Sequence, residues 1–212
     1  GILSALDGVM LPRISNLVAN NRKEEAIVKM RSSIEFNCFI SCSLCFGIIG
    51  IAPVFVPWFL GPEFTPTVAL TMELALVMIP MTITNVVQTQ YLIPFKKESI
   101  YLRAVTLGAL TNLAINIILI PFYGATGAVI GTIIAEIAAC TYQLIQIRDI
   151  YRFRQLFATL IPFMICGILE LTIIYLLSYL PVNTLLLLFI QAFGGGMAYL
   201  IGCTLYLIYV KR

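Results

Sequence analysis

Long apolar stretches separated by short polar connections run along nearly the whole chain. Several of them exceed the roughly 18–20 residues that an α-helix needs to cross the hydrocarbon core of a bilayer. Seven stretches can be distinguished, with approximate bounds 1–19, 36–60, 67–93, 104–120, 124–147, 156–179 and 184–210. The pattern predicts an all-α integral membrane helical bundle of about seven transmembrane helices. Because the connections are short, consecutive helices are expected to run antiparallel.

One polar stretch, residues 20–35, is long enough to hold a helix of its own. Ile27, Met30 and Ile34 recur within it at helical spacing, which gives the helix one apolar face. We therefore expect a short amphipathic helix that lies on the membrane surface.

The composition supports the membrane assignment. The chain of 212 residues is 60% hydrophobic and only 11% charged, whereas a soluble domain carries roughly 25% charged residues. We expect the lipid bilayer as a partner, no separate soluble domain and no nucleic-acid partner. The first residue is a glycine inside an apolar run, so we also expect that the chain is a fragment that lacks at least one upstream segment.

The basic residues occupy alternate connections. They are Arg13, Arg22, Lys23, Lys29 and Arg31, then Lys96, Lys97 and Arg103, then Arg148, Arg152 and Arg154, and finally Lys211 and Arg212. The intervening connections, 61–66, 121–123 and 178–183, carry no Lys or Arg. Cytoplasmic loops of membrane proteins are enriched in Lys and Arg. The pattern thus predicts a multi-pass protein with its basic connections and its C-terminus in the cytoplasm.

Several polar side chains interrupt the apolar stretches at helical spacing. The pairs Asn85 and Gln88, and Asn112 and Asn116, each share a helix face, as do Glu136, Gln143 and Gln146. One interpretation is a hydrophilic cavity between helices, and the other is hydrogen bonding that joins helices. For the acidic residues Glu73, Glu136 and Glu170, ion coupling and a protonated or paired structural role both stay open.

The first segment contains two charged residues, Asp7 and Arg13, and Arg13 directly follows Pro12. The Arg13 guanidinium either extends to the cytoplasmic surface or captures an anion such as a diphosphate, which suits its fork of donors. In the fifth segment, Gly127 and Gly131 have the spacing of close helix packing in membranes.

All six cysteines fall inside apolar stretches, and the chain contains no histidine. Cys38, Cys42 and Cys45 share one helix face, which allows a metal-binding interpretation, although small residues at a helix contact explain them as well. We expect no metal, no cofactor and no enzymatic activity, because no catalytic constellation is present.

Five sequence pieces, in order, resemble the C-terminal half of Wzx-type polysaccharide repeat-unit flippases, which serve capsule and O-antigen assembly. This family belongs to the multidrug/oligosaccharidyl-lipid/polysaccharide exporter superfamily. The pieces are VMLPRIS (9–15), FVPWFLGPEF (55–64), QYLIP (90–94), NLAINIILIP (112–121) and YGATGA (123–128). The resemblance extends over about residues 1–155, and the last two segments match only as apolar spans.

The resemblance implies a two-lobed protein of six helices per lobe with two additional C-terminal helices. Residues 1–150 would then form the incomplete C-terminal lobe, residues 151–212 the two additional helices, and the missing N-terminal lobe would be a partner. The implied function is export of undecaprenyl-diphosphate-linked oligosaccharides across the bacterial plasma membrane by alternating access. Basic residues of the central cavity would bind the diphosphate and sugars, and Arg13 is positioned for this.

The candidate residues follow from both lines of argument. The candidates for substrate binding are Arg13, Asp7, Asn85, Gln88, Asn112 and Asn116, and those for ion coupling are Glu73 and Glu136. Three alternatives stay open: an ion-coupled multidrug exporter of the same fold, a membrane enzyme, and a truncated non-transporting fragment. The membrane enzyme would need a large outer loop or a cytoplasmic acidic motif, and the short loops argue against both.

Overall fold

The chain is all-α in a computed structural model that describes the backbone of residues 2–209 and the side chains of residues 8–209. Within that range no β-strand is formed. The helices are α1 (Ile2–Ala19), α2 (Lys23–Leu60), α3 (Thr67–Ala75), α4 (Met78–Val87), α5 (Glu98–Tyr123), α6 (Ala125–Gln146), α7 (Phe153–Leu177) and α8 (Thr184–Tyr209). A short 3₁₀ turn, Pro62–Phe64, lies before α3, and a π-helical turn, Gln88–Leu92, continues α4.

Six described helical segments are long and apolar enough to cross a membrane. They are Lys23–Leu60, Thr67–Leu92, Glu98–Tyr123, Ala125–Gln146, Phe153–Leu177 and Thr184–Tyr209. The all-α membrane fold predicted from the hydrophobic pattern is therefore confirmed. The first predicted segment also forms a helix, α1, of 18 residues.

Helix α2 corrects one prediction. It is a single helix of 38 residues, about 57 Å long at 1.5 Å per residue, and it includes the stretch that was expected to form a separate surface helix. Met30 and Ile34 are fully buried within the protein. The prediction of a separate short helix is therefore wrong, because the stretch continues into the following span and its apolar face at Met30 and Ile34 packs against protein.

The third predicted segment is one span with two irregular points. The helix is interrupted at Leu76 and Val77, where the backbone N–H groups bond three residues back. Pro80 explains this break, since a proline has no N–H for the Leu76 carbonyl and its ring crowds the preceding turn. At the other end, the Ile93 N–H donates to the carbonyl oxygen of Gln88 at 3.0 Å, five residues back, which defines the π-helical turn.

The chain folds as two compact units. Unit 1 comprises Gly1–Cys38 and Ile79–Phe157, and unit 2 comprises Phe39–Met78 and Ala158–Arg212. The predicted division at residue 150 is a different one, since it separates the incomplete C-terminal lobe from the two additional C-terminal helices of a larger protein. That division stays a prediction.

In unit 1, helices α5 and α6 form a tight hairpin. The turn between them is Gly124, whose φ of 55° is easily adopted by a glycine. A β-carbon at Gly127 would overlap the backbone of Leu119, and a β-carbon at Gly108 would lie 3.4 Å from the β-carbon of Ala139. The prediction that the glycines of this segment serve close helix packing is thus confirmed. Helix α1 packs against the π-helical turn.

In unit 2, α2, α7 and α8 pack through aromatic and small residues. The Tyr199 hydroxyl donates to the carbonyl oxygen of Phe39 at 2.6 Å, and the Phe39 ring meets Phe163 edge-on at 5.7 Å. Gly167 lies directly against the ring of Phe46. These contacts hold the three helices together.

Candidate functional site

A cavity of about 380 Å³ lies in unit 1 among α4, its π-helical continuation, α5 and α6. Its wall is unusually polar for a membrane helix bundle, where polar side chains are costly unless they face protein or water. The polar lining residues are Thr84, Asn85, Gln88, Tyr101, Asn112, Thr132, Glu136 and Gln143. Four predicted site residues, Asn85, Gln88, Asn112 and Glu136, therefore converge on one cavity.

Asn112 connects the two helices of the hairpin. Its Nδ2 donates to Oγ1 of Thr132 at 3.4 Å, while its Oδ1 accepts from Nδ2 of Asn116 at 2.9 Å. The Thr132 hydroxyl in turn donates to the carbonyl oxygen of Ala128 at 3.0 Å. Asn112 therefore forms a hydrogen bond between two helices and also lines a cavity. These are the two roles that the sequence left open for the amides.

Some buried amide atoms of this region lack protein partners. Neither Oε1 nor Nε2 of Gln143 has a hydrogen-bond partner within the described residues, and the same holds for Oδ1 of Asn116. Gln143 is only 1% exposed. A buried polar group without a partner costs about 1–3 kcal/mol. Gln143 lines the cavity and Asn116 does not, so of these two residues only Gln143 can gain a hydrogen bond from a ligand or water bound there.

The cavity extends along the helices rather than across them. On α5 it is lined from Tyr101 to Asn112, a rise of roughly 16 Å at 1.5 Å per residue. This is about half the thickness of a bilayer core. Glu136 is the only carboxylate among the lining residues that the structure describes, so the cavity has mainly neutral hydrogen-bonding chemistry.

Arg13 lies at a second cavity, of about 270 Å³, between α1 and the first part of α2. Met10, Arg13, Lys29, Ser32, Ser33 and Phe36 line it. Two cationic side chains and two hydroxyl groups thus meet at one place. The sequence analysis did not single out Lys29 and the serines, although Lys29, Ser33 and Phe36 follow each other at helical spacing on one face of α2.

The remaining candidates lie elsewhere. The side chain of Asp7 is outside the described residues. Glu73 belongs to unit 2, and its Oε2 is buried without a hydrogen-bond partner among the described residues. Asn116 does not line the polar cavity, but its Nδ2 donates a hydrogen bond to Oδ1 of Asn112, which does. Gln146 is exposed, whereas Gln143 on the same helix lines the cavity.

Cys38, Cys42 and Cys45 are fully buried at helix contacts. All six cysteines are thiols rather than disulfides. Over residues 8–209, no group of three or more His, Cys, Asp or Glu side chains is arranged to hold a metal ion.

The chain is similar to a protein named "Putative O-antigen transporter". This relative comes from Shigella dysenteriae and is 25% identical over 144 residues. The match includes 68% of this chain but 35% of the relative, so the chain spans about a third of the relative's length. No family model matches, and no solved structure matches.

This similarity is consistent with the C-terminal part of a Wzx-type flippase, the family that the five sequence pieces resemble. The relative's name concerns a whole transporter, of which this chain spans only part. Its activity therefore enters below as a proposal for this chain.

Proposed function

We propose that this chain is part of a transporter that flips undecaprenyl-diphosphate-linked oligosaccharides across the bacterial plasma membrane by alternating access. The observation that carries the proposal is the cavity of unit 1, where neutral amides and hydroxyls from α4, α5 and α6 converge within membrane-spanning helices. The similarity to a relative named as an O-antigen transporter supports the same direction.

The chemistry of this cavity suits sugar hydroxyls. An amide side chain both donates and accepts hydrogen bonds, and so does a hydroxyl group. A sugar hydroxyl can therefore pair as donor or as acceptor with the amides that line the cavity, which are Asn85, Gln88, Asn112 and Gln143. The Tyr101 ring adds an apolar face to the wall. The unpartnered atoms of Gln143 would gain their missing hydrogen bonds on binding.

The cavity between α1 and α2 would hold the diphosphate. Arg13 offers a planar fork of donors that matches phosphate oxygens, and Lys29 adds a second positive charge. Ser33 adds a hydroxyl donor at the same cavity, whereas the Ser32 hydroxyl donates to the carbonyl oxygen of Val28 at 3.3 Å. The presence of Lys29 at the same cavity favours anion binding by Arg13. If Arg13 only extended to the membrane surface, no second cation would be needed beside it.

Ion coupling and topology form part of the proposal. Glu136, which lines the polar cavity, would exchange a proton or cation there, and Glu73 would act from unit 2. The turn at Asn21 and Lys23 meets the turn at Pro94 and Lys96, which gathers two basic connections at one end of unit 1. This supports a cytoplasmic location for that end, with an N-terminal lobe completing the transporter.

A complementation test in a bacterium without its own repeat-unit flippase examines the proposal. The chain would be expressed alone and together with its proposed N-terminal lobe, and surface polysaccharide and accumulated lipid-linked precursor would be measured. We expect restoration by the two-lobed protein. Restoration should be lost with Asn112→Leu and with Arg13→Ala, and partly kept with Arg13→Lys.

The matched control is Gln146→Leu, which replaces an exposed amide on α6 outside the cavity and should keep activity. Failure of a well-expressed two-lobed protein with several precursor types would overturn the proposal. Full activity of Arg13→Ala at equal membrane level would instead remove Arg13 from the substrate site.

A further inference from the structure

A third cavity of unit 1, of about 470 Å³, lies where the turn between α1 and α2 meets the turn before α5. Lys23 lines it from the first turn and Lys96 from the second, and both lysines are exposed. No Asp or Glu is among the described residues that line it. Two positive charges that are far apart along the chain thus converge at one cavity, which neither the proposed oligosaccharide site nor the proposed diphosphate site uses.

The floor of this cavity is apolar and rests on the core of unit 1. Val18 and Phe95 line the cavity and pack against a buried cluster from α1 and α2. Ser15 and Asn21 add a hydroxyl and an amide to the wall. The cavity therefore combines positive charge, hydrogen-bonding groups and apolar surface, as a site for an amphiphilic anion requires.

The cavity borders a membrane-spanning segment. The segment Thr67–Leu92 has 26 residues and is about 39 Å long at 1.5 Å per residue. This length exceeds the hydrocarbon core of roughly 30 Å and approaches the thickness of a bilayer with its headgroups. Phe95 and Lys96 follow this segment within four residues, so they lie at the level of the lipid headgroups.

Lys96 occupies its place at a conformational cost. Its N–H donates to the carbonyl oxygen of Ile93 at 3.0 Å, and the N–H of Lys97 donates to that of Leu92 at 2.7 Å. This is a Schellman end of a helix, in which the residue at the position of Lys96 is most often a glycine. The φ of Lys96 is 56°, which is unfavourable for a residue with a β-carbon. A lysine thus stands where a glycine would be more stable, and it brings a charge to the cavity.

We propose that this cavity binds the headgroup of an anionic phospholipid, such as phosphatidylglycerol. Lys23 and Lys96 would pair with the phosphate, the hydroxyl and the amide of the wall would bind the headgroup alcohol, and the apolar floor would contact the acyl chains. Basic pockets between transmembrane helices on the cytoplasmic side can bind anionic headgroups. A zwitterionic lipid fits less well, because its ammonium group would lie near the two lysines.

The test is native mass spectrometry of the delipidated chain in detergent, titrated with phosphatidylglycerol. Phosphatidylcholine with the same acyl chains is the matched ligand control, and glycerol phosphate distinguishes a lipid site from a site for a free phosphate. We expect one phosphatidylglycerol to bind at least about fivefold more tightly than phosphatidylcholine, without displacement by glycerol phosphate. Lys23→Gln and Lys96→Gln should each weaken phosphatidylglycerol binding about fivefold.

Two further variants keep the test decisive. Arg148→Gln removes an exposed cation outside this cavity and should leave phosphatidylglycerol binding unchanged. Lys96→Gly removes the charge and relieves the left-handed backbone, so it should raise the Tm in lipid-free detergent while it weakens phosphatidylglycerol binding about fivefold. A purely structural Lys96 would not combine these two effects.

Three results would overturn the proposal. They are equal phosphatidylglycerol affinity of the wild type and of the Lys23 and Lys96 variants, equal affinity for the two lipids, and displacement by glycerol phosphate. None of them bears on oligosaccharide transport, which is proposed for other cavities of unit 1.

Discussion

Gly127 of α6 lies so close to Leu119 of α5 that a β-carbon at Gly127 would be 2.7 Å from both the carbonyl carbon and the carbonyl oxygen of Leu119. One turn later, a β-carbon at Gly131 would overlap Oδ1 of Asn116. The first obstacle is backbone, which is fixed by its helix, and the second is the end of a side chain, which can rotate.

The two glycines should therefore differ on substitution. We expect Gly127→Ala to lower the stability of the protein by about 1–3 kcal/mol, since the hairpin must open to relieve the overlap. Gly131→Ala should lower it less, because Asn116 can rotate at the expense of its bond to Asn112. Thermal unfolding in detergent measures both, and Gly196→Ala, with open space around it, is the control. Equal Tm values for all three variants would contradict the prediction.

Gln143→Leu should separate stability from transport. The substitution removes two buried amide atoms that lack partners within the described residues and should keep or raise the Tm, because leaving such atoms unbonded costs about 1–3 kcal/mol. Transport by the two-lobed protein should fall, since the cavity loses a sugar-binding amide. A drop in Tm together with unchanged transport would show that Gln143 is a structural residue.

Arg31 should hold the turn between α6 and α7. Its guanidinium donates to the carbonyl oxygen of Ile150, with Nε at 3.1 Å, and hydrogen bonds from charged groups contribute about 1.5–3 kcal/mol. We expect Arg31→Ala to speed tryptic cleavage after Arg148 and Arg152 severalfold. The control is Arg22→Ala, because Arg22 pairs with Glu25 and not with this turn. Equal cleavage rates in both variants would contradict the proposed role.

Thiol labelling can test the topology. All six native cysteines are buried, so a single exposed cysteine should react far above background. We expect Asp149→Cys to react with a membrane-impermeant maleimide only after the cells are opened, and Pro181→Cys to react in intact cells. Both positions are exposed. The reverse pattern would place the C-terminus outside and contradict the charge rule.

The hydrophobic pattern predicted the helices well because each span must be continuously apolar to cross lipid. It missed the continuity of α2, since a long helix can leave the bilayer and still bury an apolar face against protein. The helical spacing of Met30 and Ile34 predicts an apolar face on the membrane surface, whereas both residues are buried within the protein. Periodicity reveals that a face is apolar, but it does not reveal which surface covers that face.

For the candidate site, the sequence identified the amides because they interrupt apolar spans. It did not place Lys29 at the same cavity as Arg13, because that cavity depends on how α1 packs against α2 and the two residues are 16 positions apart. The sequence shows Glu170 as an acidic residue within an apolar span. The residue lines an apolar cavity that is formed with α2 and α8, which are distant along the chain. Such enclosures depend on tertiary packing and leave no local signal.

The π-helical turn Gln88–Leu92 changes the direction in which the side chains on either side of it point. A π turn holds one more residue than an α turn, so side chains beyond it are rotated by about 100° from the direction an uninterrupted α-helix would give them. Gln88, the first residue of the turn, lines the cavity, and Gln90 within the turn is fully buried. Deleting Thr89 would restore a continuous α-helix. It would rotate Asn85 by about 100° relative to the connection that carries Lys96 and Lys97, and so away from α5. The length of this segment therefore sets which amides the cavity receives.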